Sequence, residues 1–383
     1  MPLDKAQFFK SLADVLENKN KSKDVTIGIT LLGSEHPAEM IAFAAKRAEK
    51  ALNIKVLAIG PKDEAEKAGL SFESAKTLEE AHRIMEMLLD SGKIDAAVTM
   101  HYNFPIGVST VGRVVTPAKG KPMLIATTTG TASANRVEAM IKNAVYGIIT
   151  AKALGLENPG LGILNVEGAR QVERALINLS KNGYKINFAS SIRSDGGTVM
   201  RGNDLLTGSC DVMVTDSLTG NLLMKIFSAF TTGGDYEALG WGYGPGIGEN
   251  YERLILILSR ASGAPVVEGA IQFAAELVRG NIKKVAKEEF EKAKAAGMEE
   301  VIKEITGKTQ EVEKGEAIPP KKGVTEEIAG IDVLEIENAV KALWGSGIYA
   351  ESGMGCTGPV ILVAEEDISE ALQILREKGY ITG

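Results

Sequence analysis

Short β-rich apolar runs alternate with amphipathic helical patterns from residue 24 onward, and this alternation constrains the fold more than any other feature of the chain. The first four runs span residues 25–31, 54–59, 94–100 and 122–127. Strands that are joined by helical crossovers pair in parallel, with helices on both faces of the sheet. The sequence therefore predicts an α/β fold with doubly wound parallel sheets.

The alternation is interrupted once, which predicts two α/β domains with a cleft between them. A long helical pattern over 136–154 ends at Gly155 and Pro159, which are typical helix stop signals, and the strand-helix pattern then restarts. A polar, proline-containing stretch later in the chain predicts a linker. The expected parts are a first α/β domain over 1–155 that 263–310 completes, a second α/β domain over 156–262, a linker over 311–330 and a small C-terminal α+β unit over 331–383.

The C-terminal unit carries one of only two cysteines, within the segment Glu351-Ser352-Gly353-Met354-Gly355-Cys356-Thr357-Gly358-Pro359. Apolar stretches that predict strands flank this segment. Its glycines leave the Cys356 thiol accessible, and the loop N–H groups, with Gly355 and Thr357 beside the thiol, can stabilise a thiolate and an oxyanion. The segment also fits G-x-G-x-x-G, but a strand pattern follows it where a dinucleotide site requires a helix. Cys356 is therefore the predicted chemical centre, and a tight hairpin with an incidental cysteine is the alternative.

Composition excludes several functional classes. A net charge of −7 over 383 residues argues against nucleic acid or an anionic membrane as the main partner. No run reaches the ~18 apolar residues of a membrane span, and the N-terminus predicts an amphipathic helix rather than a signal peptide, so we expect a cytoplasmic protein. Cys210 and Cys356 offer neither a disulfide framework nor metal-ligand spacing, so no metal or other cofactor is predicted. Cys210 is predicted to be a small core residue.

A phosphate site is predicted where the strand over 211–216 ends. Ligands of open parallel sheets bind at the carboxyl ends of the strands. Thr219 and Asn221 can donate hydrogen bonds to phosphate oxygens near Asp216, and Lys225, one helical turn further on, can supply the positive charge. Helix capping by Asp216 and Thr219 is the alternative interpretation.

Other predicted strand ends add polar candidates. His101 follows the run over 94–100 and is a candidate for proton transfer near neutral pH, with Arg113 further along the chain. Ser133 lies in the small, hydroxyl-rich stretch 127–135. A purely structural role is the alternative for His101.

A second glycine cluster occupies residues 240–248 and has glycine at every other position. If the apolar run after it is helical, Asn250 caps that helix, and the N–H groups around Gly246 and Gly248 face an anion. Phosphate is the ligand expected at this cluster. A mobile surface loop with aromatic anchors is the alternative.

Three stretches are similar in order and spacing to the PlsX-type phosphate acyltransferases and, more distantly, to phosphotransacetylases: Gly162 to Glu167, Asp211 to Lys225, and Gly263 to Pro265. This resemblance covers roughly residues 24–280. With Glu351 to Glu366 added, the whole chain resembles the family of alpha subunits of component C of the glycine/sarcosine/betaine reductase complex.

The resemblance implies acetyl transfer that ends in acetyl phosphate. In that family a carboxymethyl group on selenoprotein A becomes an acetyl thioester on the component C cysteine, which Cys356 matches, and inorganic phosphate then cleaves the thioester. The component C beta subunit and selenoprotein A are the implied protein partners, and a homodimer or larger assembly is expected. His101-Tyr102-Asn103-Phe104-Pro105 stands where the acyltransferases carry an Asn-Thr-Gly turn, so the contacts of that turn do not transfer.

Two other functions are alternatives. One is a phosphate acyltransferase that uses a carrier-protein or coenzyme A thioester without an enzyme thiol. The other is a non-catalytic scaffold subunit. A nicotinamide-dependent dehydrogenase is disfavoured because the sequence has no strand-loop-helix G-x-G-x-x-G.

Overall fold

The computed structural model describes residues 25–194, 196–307, 318–332, 335–355 and 358–381. Cys356 and Thr357 lie outside the described residues. The described chain forms an α/β core up to residue 307 and a smaller C-terminal unit from residue 318 onward. No helix in these ranges is long and apolar enough to cross a membrane.

The described part of the core contains one twelve-stranded sheet. Its strands are β1 (Thr26–Thr30), β2 (Lys55–Gly60), β3 (Ser71–Ser74), β4 (Ala96–Thr99), β5 (Val108–Val115), β6 (Pro122–Thr131), β7 (Gly160–Leu164), β8 (Asn187–Phe188), β9 (Val199–Met200), β10 (Val212–Val214), β11 (Gly244–Ile247) and β12 (Ile255–Ile257). Their order is β3-β2-β1-β4-β12-β11-β5-β6-β10-β7-β8, and β9 pairs with β7. The predicted α/β fold class is confirmed.

The sheet consists of two parallel sections that run in opposite directions. Strands β3, β2, β1, β4 and β12 pair in parallel, and so do β6, β10, β7, β8 and β9. Between these sections, β11 is antiparallel to β12 and to β5, and β5 is antiparallel to β6. The carboxyl ends of the two parallel sections therefore lie at opposite edges of the sheet.

Helices cover both faces of the sheet. They are α1 (Ala38–Leu52), α2 (Lys62–Ala68), α3 (Leu78–Asp90), α4 (Arg136–Ala153), α5 (Ala169–Lys181), α6 (Gly202–Thr207), α7 (Ser217–Ala229), α8 (Ala264–Arg279), α9 (Ile282–Ala295) and α10 (Met298–Gly307). One buried cluster joins α1, α4, α5 and α8 to one face, and another joins α3 and α7 to the other face. On β10, Val212 and Val214 belong to the first cluster and Met213 to the second, as the two-residue period of a strand requires.

One local prediction is wrong. The apolar run after Asn250 is not helical, because Ile255–Ile257 forms strand β12 between β4 and β11. Asn250 has a φ of 63° and caps no helix there. Part of the second glycine cluster is likewise strand β11. Short apolar runs of this length do not distinguish a buried strand from a helix, and here the pairing with β4 decides.

The C-terminal unit is a three-stranded antiparallel sheet that packs on two helices. Its elements are β13 (Glu326–Ile328), α11 (Ile336–Trp344), β14 (Ala350–Gly355), β15 (Gly358–Val363) and α12 (Ile368–Glu377). Strand β15 lies between β13 and β14, and β13 falls within the predicted linker. Strands lie on both sides of Cys356 as predicted, but they extend into the glycine-rich segment itself: β14 ends at Gly355, β15 begins at Gly358, and these two residues pair. The hairpin of the alternative interpretation is therefore present.

Candidate functional site

A cavity of about 410 Å³ opens at the edge where β6 and β10 end and where α4 and α7 begin. The carboxyl edge of parallel strands is where α/β sheets bind ligands, because loops and helix N-termini meet there. The polar side chains that line the cavity include Thr127, Thr131, Ser133, Arg136, Asp216 and Thr219. Three of the phosphate candidates, Ser133, Asp216 and Thr219, are thus brought together.

Helix α7 approaches the end of β6 so closely that only glycine fits at Gly220. A Cβ atom at this position would lie 1.7 Å from the Thr127 carbonyl oxygen, far inside any real contact. One residue later, the Asn221 Nδ2 donates a hydrogen bond to the Thr128 carbonyl at 3.1 Å. These two contacts fix the first turn of α7 against β6 and so define one wall of the cavity.

Asp216 caps α7. Its Oδ1 accepts hydrogen bonds from the N–H groups of Leu218 at 3.1 Å and Thr219 at 3.0 Å, and its Oδ2 accepts one from the Thr219 hydroxyl at 2.7 Å. Burial raises the pKa of Asp216, but the hydrogen bonds from Thr219 and the charge of Arg136 outweigh it, so the pKa lies below its ordinary value. The capping interpretation of Asp216 and Thr219 is therefore present in the structure.

Arg136 is the first residue of α4, which follows β6, and its side chain pairs with carboxylates that follow β10 and β7. Its Nη2 lies 3.1 Å from Asp216 Oδ2, after β10, and its Nη1 lies 2.5 Å from Glu167 Oε2, after β7. Its Nε is buried and has no hydrogen-bond partner among the described residues. Two carboxylates orient this guanidinium and balance its charge, so an anion that binds beside it also needs the uncharged donors of the cavity. Arg136 was not among the predicted site residues, although Asn135 directly before it caps α4 and marks a helix start.

Hydroxyl groups complete the cavity. The Ser133 hydroxyl accepts a hydrogen bond from the Asn135 N–H at 3.2 Å, which leaves its own proton for a ligand. The Thr127 hydroxyl donates to the Thr110 carbonyl at 2.6 Å and is thereby occupied. Arg136, Ser133 and the N-terminus of α4 can hold a small anion such as phosphate, whereas the N-terminus of α7 is already capped by the Asp216 carboxylate.

Two phosphate candidates of the predicted strand end lie outside this cavity lining. Asn221 uses its amide to bind the Thr128 carbonyl. Lys225 is exposed, and its Nζ lies 6.0 Å from the centre of the Tyr243 ring. Both residues belong to α7 and lie further along the helix than the cavity.

Arg113 and the glycine pair are placed elsewhere. Arg113 forms an ion pair with Glu276 on α8, with 2.6 Å between Nη1 and Oε2, and its guanidinium lies 4.2 Å from the centre of the Trp241 ring. Gly246 belongs to β11, and Gly248 follows it. Strand β5 lies between β11 and β6, the strand whose end lines the cavity. A Cβ at Gly246 would lie 2.3 Å from the Phe104 ring, so its close environment is a packed aromatic side chain.

His101 lies at the opposite edge of the sheet from the cavity. It follows β4, whose direction is opposite to that of β6 and β10. Its neighbour His82 is bound through Nε2 to the Thr99 hydroxyl at 3.0 Å, and burial together with the charge of His101 lowers the pKa of His82. The structure therefore does not bring His101 to the cavity.

Of the two cysteines, the structure describes Cys210 alone. Cys210 is 2% exposed, and burial raises the pKa of its thiol to about 12, so the prediction of a core residue is confirmed. An inert, protonated thiol of this kind is not a nucleophile near neutral pH. Cys356 and Thr357 lie outside the described residues, and Gly355 is the last described residue before them.

The C-terminal unit docks at the same edge of the sheet as the cavity. Asp332, 5% exposed, accepts hydrogen bonds from the N–H groups of Gly168 at 3.2 Å and Arg170 at 3.3 Å, at the N-terminus of α5. Arg174 of α5 forms an ion pair with Glu335. Glu167, the partner of Arg136, directly precedes Gly168, so one residue contacts the cavity arginine and the next contacts the C-terminal unit.

A sequence model of the family described as "Fatty acid synthesis protein" matches residues 25–362. The chain therefore belongs to this family. It is 57% identical over 376 residues to the "Glycine/sarcosine/betaine reductase complex component C subunit alpha" of Peptoclostridium acidaminophilum, and the match covers 97% of each chain. This relative confirms the resemblance that the sequence motifs indicated.

More distant relatives share about half of the chain. A "Phosphate acyltransferase" of Thermotoga maritima is 28% identical over 232 residues, which cover 52% of this chain and 68% of that protein. Among solved structures, a branched-chain phosphotransacylase from Enterococcus faecalis V583 aligns with a TM-score of 0.46 and 17% identity, over 66% of this chain and 99% of that chain.

Proposed function

We propose that this protein transfers an acetyl group to inorganic phosphate through a thioester on Cys356, as the alpha subunit of component C in a cytoplasmic glycine reductase complex. The observation that carries the proposal is the cavity with Arg136 and Ser133, which offers an anion a guanidinium, a free hydroxyl and the N-terminus of α4. The names of the component C relative and of the phosphate acyltransferases support the same chemistry.

The proposed reaction has two covalent stages. In the first stage the carbon–selenium bond of carboxymethylated selenoprotein A breaks, the selenium and a thiol of that partner are oxidised to a selenenyl sulfide, water leaves, and the two-carbon fragment becomes an acetyl thioester on the Cys356 sulfur. The N–H groups at Gly355 and Thr357 stabilise the oxyanion. A phosphate oxygen then bonds to the carbonyl carbon, the carbon–sulfur bond breaks, and acetyl phosphate and the thiolate are released. Division of one transfer into two steps lowers the barrier of each.

In this proposal the residues around the cavity have distinct roles. Arg136 and Ser133 bind the phosphate, and Asp216 and Thr219 orient Arg136 and fix the first turn of α7. The docking of Asp332 on the N-terminus of α5 supports the delivery of the acetyl group, because it attaches the cysteine-bearing unit at this edge. Roles of the other candidates, His101 among them, stay predictions.

The test is arsenolysis of acetyl phosphate, in which arsenate replaces phosphate and hydrolysis of acetyl arsenate drives turnover. We expect turnover by the wild-type protein, a mass gain of one acetyl group on Cys356, and loss of both in Cys356→Ala. Full activity of Cys356→Ala would instead select the acyltransferase without an enzyme thiol. No turnover and no mass gain with the wild-type protein would select the scaffold subunit.

The phosphate role of Arg136 is tested separately. We expect Arg136→Met to raise the KM for phosphate or arsenate by about tenfold or more, since a charge-assisted contact of this kind contributes about 1.5–3 kcal/mol. Arg83→Met is the matched control, because Arg83 is exposed on α3 and far from α4 in the fold. Equal effects of the two substitutions would contradict the assignment.

A homodimer is part of the proposal. Leu218, Leu222, Ile226 and Phe230 recur every four residues along α7 and its end, and all four are exposed, Leu218 by 79%. An apolar stripe of this kind on a helix favours burial against another chain. We assign the stripe to a second copy of this protein, and the component C beta subunit and selenoprotein A are the other proposed partners.

A further inference from the structure

A second cavity, of about 400 Å³, lies between α5, the end of α10 and the C-terminal unit, and we call it the joint cavity. One wall is a single face of α5, on which Arg174, Asn178 and Lys181 follow at helical spacing. The facing wall comes from the end of α12 and includes Arg376 and Lys378. Neither unit forms this cavity without the other.

Positive charge exceeds negative charge in the lining of the joint cavity, where four basic residues stand against two carboxylates, Glu304 and Glu335. Arg174 is neutralised by its ion pair with Glu335. Lys181, Arg376 and Lys378 make no ion pair or hydrogen bond through their side chains with any described residue. Helix C-termini attract cations, which accounts for one basic residue at the end of each helix. This attraction does not explain why three basic side chains without an ion pair, from two different units, surround one cavity.

The remaining lining is mixed. The amides of Asn178 and Asn338 add hydrogen-bonding groups, and Ile177, Ile305 and Tyr380 add apolar surface. A volume of about 400 Å³ lies within the range of about 300–1,000 Å³ that is usual for small-molecule sites. The lining therefore fits a ligand with a strongly anionic end and a flat or aliphatic remainder.

We propose that the joint cavity binds a small phosphate ester, independently of the cavity around Arg136 and Ser133. The phosphate lies among Lys181, Arg376 and Lys378, where the uncommitted positive charge is concentrated. The apolar part lies against Ile177 and Tyr380. Because the walls belong to two units, the ligand also holds the C-terminal unit on α5 and regulates its position.

The test uses the full-length protein, with ADP as the probe of a phosphate ester and pyrophosphate and inorganic phosphate as probes of the charge alone. Calorimetric titration is expected to give a saturable site for ADP that binds more tightly than either inorganic anion. Lys378→Glu is expected to weaken ADP binding by about tenfold or more. Lys119→Glu is the matched control, because Lys119 is an exposed lysine of the β5–β6 loop and the charge change is equal.

Further variants separate the possible outcomes. Lys181→Gln, on the exposed side of α5, is expected to weaken ADP binding even if Lys378→Glu disturbs the C-terminal unit. Arg136→Met is expected to leave ADP binding unchanged, which distinguishes the joint cavity from the cavity around Arg136 and Ser133. Absence of saturable ADP binding, or an equal loss in Lys119→Glu, overturns the proposal. Equal affinity for ADP and pyrophosphate overturns the assigned apolar contact.

Discussion

Replacement of Gly220 by alanine tests the close approach of α7 to β6, which shapes the cavity that Ser133, Arg136 and Asp216 line. The added Cβ would lie 1.7 Å from the Thr127 carbonyl oxygen and 2.9 Å from its carbon, whereas real Cβ contacts stay beyond 3.0 Å. Helix and strand must therefore separate by more than 1 Å. The obstacle is backbone, so no side-chain rotation relieves it.

The magnitude follows from two opposing terms. Alanine in place of glycine inside a helix gains about 1 kcal/mol in helix propensity. Overpacking of a tight contact costs about 1–3 kcal/mol, and a backbone clash of this depth belongs at or above the upper end. We expect a net loss of about 2 kcal/mol in the free energy of unfolding. For a chain of 383 residues this corresponds to a fall of about 2–3 °C in the unfolding temperature.

The assay is thermal unfolding followed by circular dichroism, together with arsenolysis of acetyl phosphate. A displacement of about 1 Å at a reacting group can reduce a rate by about 10²-fold, so we expect activity to fall more than stability alone explains. Gly202→Ala is the control, since a Cβ at that position of α6 meets nothing within 4 Å. If Gly220→Ala unfolds at the same temperature as Gly202→Ala and keeps its activity, the reasoning from the contact is refuted.

Three further predictions concern other contacts. Asp216→Ala removes the cap of α7 and is expected to cost about 1 kcal/mol near neutral pH. The pKa of Asp216 is lower in the folded protein than in the unfolded chain, so this stabilisation is fully present above the unfolded value of about 3.9 and is lost as the pH falls through the folded value. The free energies of unfolding of wild type and variant should therefore converge at that lower pH. Leu222→Glu combined with Ile226→Glu is expected to convert a dimer to a monomer in light scattering, and an unchanged mass would contradict the assignment of the α7 stripe. Asp332→Ala frees the N–H groups of Gly168 and Arg170, so hydrogen exchange at these two amides should accelerate by about tenfold, while amides in β1 stay protected.

Strands with continuous apolar sequence were predictable, and strands with polar or glycine-rich sequence were not. The runs at 25–31 and 54–59 became β1 and β2, since buried parallel strands are apolar on both faces. Strand β5 was missed because its buried positions include Ser109 and Thr110, whose hydroxyls are satisfied by Asn143 and Thr128. Because these buried hydroxyls find their hydrogen-bond partners on distant segments, the local sequence shows no periodic apolar pattern.

The candidate cavity was only partly predictable for a related reason. Asp216 and Ser133 follow apolar strands, so their placement at a carboxyl edge was inferred correctly from sequence order. The reversal of strand direction at β11 and β5 depends on antiparallel pairing across the whole sheet, and no local pattern encodes it. His101 was therefore expected near groups that lie at the other edge. Arg136 was missed because arginine at a helix start has no distinctive spacing.

The carboxylate of Asp332 has a consequence for how the two units stay together. The N-terminus of a helix after a parallel strand ordinarily attracts an anion from solution, and at α5 a side chain of the same polypeptide occupies that place. The smaller unit thus behaves as a tethered competitor, whose high effective concentration compensates for the weakness of two hydrogen bonds. Free anions must outcompete this intramolecular carboxylate to reach the helix end, so moderate salt alone should not detach the unit.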